Sequence, residues 1–277
     1  SWRFRPFAEF HSSADKPLMD LTATGQGEGI PVFKGESFDI WNPDTGVYYA
    51  RGEEDRLLDE LERRRKKGQS SSRSPFSEFA SSQIDDGTLL PARNPRIALR
   101  KISRATDSRT IRAALVPPNV TLSDGAPYLL RPRGDETDEA FLLGVLCSVP
   151  LDWAARNVIE VNVNYPQINS LPIPDPGAGD PLRDRVVEIA GSLAAVDERF
   201  STWADKVGVP VASVKTLEDK DSLIAELDAL VSLLYGLSRE QVEQVFATFH
   251  RGWDYKPRLA AVLSHYDSWA ISLGEGK

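Results

Sequence analysis

Prolines stand at every second position from Pro172 to Pro176, and this constrains the fold more than anything else in the chain. Proline lacks an amide hydrogen and clashes with the preceding helical turn, so the stretch can be neither helix interior nor central strand. An extended segment is expected to run into it through Asn169-Ser170-Leu171-Pro172-Ile173-Pro174. A helix is expected at once beyond it. Val186, Ile189, Leu193, Val196, Phe200 and Trp203 follow at alternating spacings of three and four, an a/d seam. The chain is thereby divided into a first part, 1–175, and a helical part, 176–277.

In the helical part, Ile224, Leu227, Val231 and Leu234 repeat the seam after a Gly- and Pro-containing connection. Two such helices most simply form a hairpin in which each covers the other's apolar stripe. Ser238 with Gln241 is a capping box for a third helix carrying Val242, Val245 and Phe246, and Leu259–Trp269 reads as a fourth.

The first part alternates short strands, turns and helices. Pro31–Gly35, Val47–Ala50 and Val158–Val163 read as strands, with Asn42-Pro43-Asp44 making a turn. Asp55–Lys67 reads as a helix ended by Gly68, with acids at its start and cations at its end. Ile97–Ile102 and Thr110–Val116 read as a hairpin joined by a polar loop, 103–109. Asp135–Val149 is a helix that Pro150 breaks, with a further turn carrying Trp153 and Arg156. The fold class expected is α+β: a mixed twisted sheet with short helices, followed by a helical hairpin or bundle.

One cysteine, Cys147, excludes an internal disulfide and fits a reducing cytoplasm, and no apolar run reaches the roughly 20 residues of a membrane span. The chain opens Ser1-Trp2-Arg3-Phe4 without an initiator Met, which reads as a piece of a longer polypeptide. The net charge of −8 disfavours nucleic acid as a partner, but its distribution does not. Between Ala92 and Arg133 nine basic residues face two acidic ones, a local +7, whereas 175–277 carries eleven basic and seventeen acidic groups, a local −6. A basic island in an acidic protein is the footprint of a DNA-facing surface, or else a solvated strand face with partners elsewhere.

No catalytic constellation stands out. His11, His250, His265 and Cys147 have no metal-ligand spacing, so neither a catalytic nor a metal site is assigned. Glu218-Asp219-Lys220 has the letters of a nuclease half-motif but precedes a helix as its acidic N-terminus, whereas the chemistry needs a strand. Gly25-Gln26-Gly27-Glu28-Gly29 leads into an extended segment, where a cofactor loop would lead into a helix, so this chain itself is given no cofactor. Asn164-Tyr165-Pro166-Gln167 contains the letters of an adenine-methylation tetrapeptide in the wrong order.

The arginine-rich hairpin is the best functional candidate, since arginine donates bidentately to guanine and a two-stranded ribbon fits the major groove. Arg104 and Arg109 in the loop, with Arg100 beside it, are the candidate base readers. Lys101, Arg112, Arg93, Lys66, Lys67, Arg73 and Lys34 are candidates for phosphate contacts that set register. For Lys66, Lys67 and Arg73 the competing reading is a helix C-terminus with solvated cations.

Laid out in order, these segments resemble the C-terminal target-recognition region of large adenine-N6 DNA methyltransferases of restriction–modification and phage-defence systems. They are also similar to type I specificity-subunit recognition domains. Gly29–Phe38 is similar to the segment that opens the recognition domain, and Pro95–Ala98 with Thr110–Pro117 to its central strands. Tyr128-Leu129-Leu130, the helix with Leu142–Ser148, and Asn169–Pro174 follow in the expected order. The resemblance implies a duplex-DNA recognition module over 1–175 and a helical spacer over 176–277. The spacer would dock it to a methyltransferase domain of the parent or to a partner subunit. S-adenosylmethionine and the chemistry would belong to that parent. The rival expectation is a protein-docking module whose acidic helices recruit a partner, DNA contact being incidental.

Overall fold

The computed structural model describes residues 4–103 and 107–275. It is an α+β protein with two small sheets and a helical C-terminal region. Two compact units are present, and both are discontinuous in sequence. Unit 1 comprises 1–102, 112–135 and 162–169; unit 2 comprises 103–111, 136–161 and 170–277. The proline stretch is thus not the only seam. Residues 136–161 and the hairpin loop 103–111, which precede the expected boundary at 175, belong to the helical unit.

Unit 1 holds both sheets. The strands are β1 (Arg5–Phe7), β2 (Ile30–Phe33), β3 (Ala50–Gly52), β4 (Arg96–Leu99), β5 (Ala113–Val116), β6 (Thr121–Leu122) and β7 (Tyr128–Leu130). An antiparallel sheet has the order β1-β7-β4-β5, and a mixed one the order β3-β2-β6, with β2 and β6 parallel. The hairpin expected around residues 97 and 116 is β4–β5, with Arg96 opposite Val116 and Leu99 opposite Ala113. Every residue of both strands is buried, so they read as apolar runs without a polar face.

Helix α1 (Glu54–Gln69) lays Leu57, Leu58 and Leu61 on a core with Phe10, Val32 and Leu90. A second core gathers Phe33, Phe38, Tyr48, Phe76, Val116 and Tyr128. Helix α2 (Ser81–Asp85) places Ile84 in that second core.

Unit 2 is built on α3 (Glu136–Cys147), α4 (Val149–Ala155), α6 (Pro181–Ala194), α7 (Ser201–Val207), α8 (Leu217–Leu234), α9 (Arg239–Thr248) and α10 (Lys256–Glu275). The short α5 (Tyr165–Ser170) spans the last residues of unit 1. From Ala140 to Cys147 every residue of α3 is buried, which makes it a central helix and not an amphipathic one. Gly144 permits the close approach: a Cβ there would lie 2.8 Å from Val186 of α6 and 3.3 Å from Leu227 of α8. Helices α6 and α8 pack together as the seam predicts, and Ser238 caps α9 with Gln241 reciprocating.

Four expectations are corrected. The seam from Val186 to Trp203 is not one helix. It stops at Ala194, Val196 is exposed, and Asp197 caps a single 3-10 turn that leads into α7. Tyr165–Ser170 is helical where an extended run was expected. Asn164 Oδ1 accepts from the Gln167 amide at 3.0 Å and Gln167 Oε1 from the Asn164 amide at 3.1 Å, a reciprocal cap that tolerates Pro166 in the first turn.

Val158–Val163 is not a strand either. The amides of Val158 and Ile159 close onto Ala155 O, and the segment then makes one Ile102–Asn162 bridge, flanked by the Ser103 amide on Val161 O and the Val163 amide on Lys101 O. The third strand begins at Ala50, because Tyr48 stacks on Phe33 in the core, ring centroids 5.3 Å apart. Among the described residues no helix is long and apolar enough to cross a membrane.

Candidate nucleic-acid interface

Most arginines of the basic island are bound inside the protein. Arg96 and Glu9 form a buried ion pair at 2.9 Å, and Glu9 also accepts from the Leu122 amide at 2.7 Å. Burial pushes the Glu9 carboxyl above its ordinary value, only partly offset by Arg96 and that amide.

Arg109, expected to reach a base from the loop, is instead the partner of Asp152. Asp152 is 0% exposed and takes the Arg109 Nε at 3.2 Å and the Thr110 amide at 3.0 Å, together with the Ile111 amide. The other end of the Arg109 guanidinium donates to Cys147 O at 2.7 Å and Ser148 O at 2.9 Å. Arg156 donates to Asp107 O and Ser108 O, both at 2.9 Å, and lies 4.4 Å above the Phe249 ring. Helix α4 therefore grips the C-terminal leg of the hairpin loop. Arg104, the other loop candidate, lies outside the described residues.

Arg100, the third base-reading candidate, is also committed. Its Nε donates to Gly35 O at 2.7 Å, and its amide bonds Arg112 O at 2.9 Å. Arg112 in turn donates to Asp39 at 2.9 Å. The structure thus brings Arg100, Arg112 and the 34–39 segment together, with Lys34 and Lys101 only loosely held, each 3.9 Å from an acid (Glu36 and Asp124).

The remaining phosphate candidates behave differently. Lys66 is exposed and pairs one turn back with Glu62 at 3.1 Å. Lys67, Arg73 and Arg93 are exposed, with no ion pair among the described residues. Lys66 and Lys67 occupy the last turn of α1, where cations offset the carbonyl dipole.

A group that sequence reading missed surrounds Lys101. Ser12 donates its amide to Asp124 Oδ1 at 3.0 Å, while His11 Nδ1 lies 3.7 Å and Lys101 Nζ 3.9 Å from Asp124 Oδ2. Burial pushes the Asp124 carboxyl up, but Ser12, Lys101 and His11 together hold it below its ordinary value. Tyr165 is raised, by burial first and by the Asp124 charge second. No local pattern could have revealed the group, because His11 and Asp124 are more than a hundred residues apart.

Among the described residues no group of three or more His, Cys, Asp and Glu is placed to hold a metal. Glu218 and Asp219 fill the first turn of α8 behind the Thr216 cap. Gly25–Gly29 runs into β2, so it lacks the strand-to-helix turn that an S-adenosylmethionine loop requires. Comparison with protein-family models, with curated proteins and with solved structures found no match.

Proposed function

We propose that this chain reads a short site on duplex DNA for an adenine-N6 DNA methyltransferase of a restriction–modification or phage-defence system, the catalytic domain lying elsewhere in the parent polypeptide. Unit 1 carries the phosphate-facing cations, and the unit 2 helices dock the module to the methyltransferase domain or a partner subunit. S-adenosylmethionine and base flipping belong to that missing part.

The observation that most supports this reading is how the cations divide. Arg96, Arg100, Arg109 and Arg112 are bound to carboxylates and carbonyls of the chain itself, so they serve as framework. Lys67, Arg73 and Arg93 stand exposed in an acidic protein, with no acidic partner among the described residues. Cations left unneutralised where the rest of the chain is acidic are suited to phosphates. Arg104 keeps the base-reading role assigned to it from the sequence.

Anisotropy of a labelled duplex titrated with the protein tests this. Binding should weaken steeply between low and moderate salt, as released counterions require. Affinity that does not change with salt would mean that the cations are not on phosphates and that apolar docking dominates.

A further inference from the structure

We propose that His11, Lys101 and Tyr165 form a contact site for the DNA sugar–phosphate backbone, its charge moderated by Asp124. The site rests on the DNA-recognition reading and assigns that reading a contact surface.

Backbone hydrogen bonds build the frame. The Phe10 amide bonds Leu122 O at 3.1 Å, the Lys101 amide bonds Gly125 O at 3.1 Å, and the Val163 amide bonds Lys101 O at 2.8 Å. Segments 10–12, 99–102, 122–125 and 162–165 are thereby held side by side in unit 1.

Two side chains that can donate to an oxyanion meet there, and a third stands on the adjoining segment 162–165. The His11 side chain is 69% exposed and that of Lys101 44%, and both sit against the same Asp124 oxygen beyond hydrogen-bonding distance. Asp124 faces both side chains without using up their donor protons. Tyr165 is 38% exposed and stands two residues beyond Val163, whose amide bonds Lys101 O. A phosphodiester fits this set: one oxygen for the ammonium, one for the imidazole N–H, and the phenol for a phosphate or sugar oxygen.

The test uses the full chain and one labelled duplex, with Kd measured over a salt series. His11→Ala and Tyr165→Phe should each weaken binding by about threefold to tenfold, the value of one hydrogen bond. Lys101→Ala should lower the salt slope by about one. Asp124→Asn keeps an acceptor for Ser12 and removes a charge near the phosphate, so binding should tighten about threefold. Thermal melts identify any variant that fails to fold. Wild-type affinity and slope in all four folded variants would overturn the site and leave the recognition reading standing. A wild-type chain that binds no duplex would overturn both.

Discussion

Asp152 decides what the arginines around it can do. A fully buried carboxylate is tolerated only when its lone pairs are occupied, and here two backbone amides and the Arg109 guanidinium occupy them. Arg109→Ala is therefore expected to lower stability by about 1–3 kcal/mol while leaving base preference intact. A selection that loses preference at one base pair would return Arg109 to the interface. Asp152→Ala should cost more, about 3–5 kcal/mol, since it strands a charge and two amides. Hydrogen exchange should then accelerate at Thr110 and Ile111 before it does elsewhere. The sequence could not show this commitment: Arg109 and Asp152 are 43 positions apart, and charge density in a loop looks the same whether its partners are phosphates or carboxylates.

Single elements were legible where local chemistry decides them. The Ser238–Gln241 box and the acid-to-cation gradient of α1 are local, and both helices are present. Ser238→Ala should cost about 1 kcal/mol and raise exchange in the first turn of α9. In α1, Glu60 takes Arg63 at 2.7 Å and Arg64 at 2.7 Å, Arg63 being the larger influence, and its carboxyl is lowered to about 2. A depressed carboxyl contributes stability that is fully present above its ordinary value of 4.5 and is lost as the pH falls toward about 2. Wild type should thus lose more melting temperature than Glu60→Gln between those limits, and parallel losses would contradict the assignment. Elements misread from sequence depended on longer range. A heptad pattern does not reveal that Asp197 restarts the chain after Ala194. Alternating apolar residues at 158–163 resembled a strand, but pairing with 101–103 stops at one bridge and its two flanking hydrogen bonds.

At the scale of the whole molecule, the fold class followed from patterning, whereas the two units did not. The proline stretch marked one change of character, but chain crossings at 103–111 and 136–161 are long-range facts. The candidate site was legible only as a count of cations; burial then separated framework arginines from exposed ones. Replacing Lys66, Lys67 and Arg73 together by Ala should reduce the salt slope by about two to three without changing which sequence is preferred, because phosphate contacts position and do not specify.

The most direct test of sequence reading is selection of the intact chain against a randomised duplex pool, with sequencing of what is retained at low and at moderate salt. Recognition requires enrichment of one short motif that survives the added salt. Retention without enrichment, or no retention at either salt, would contradict it, and the second result would favour a protein-docking module.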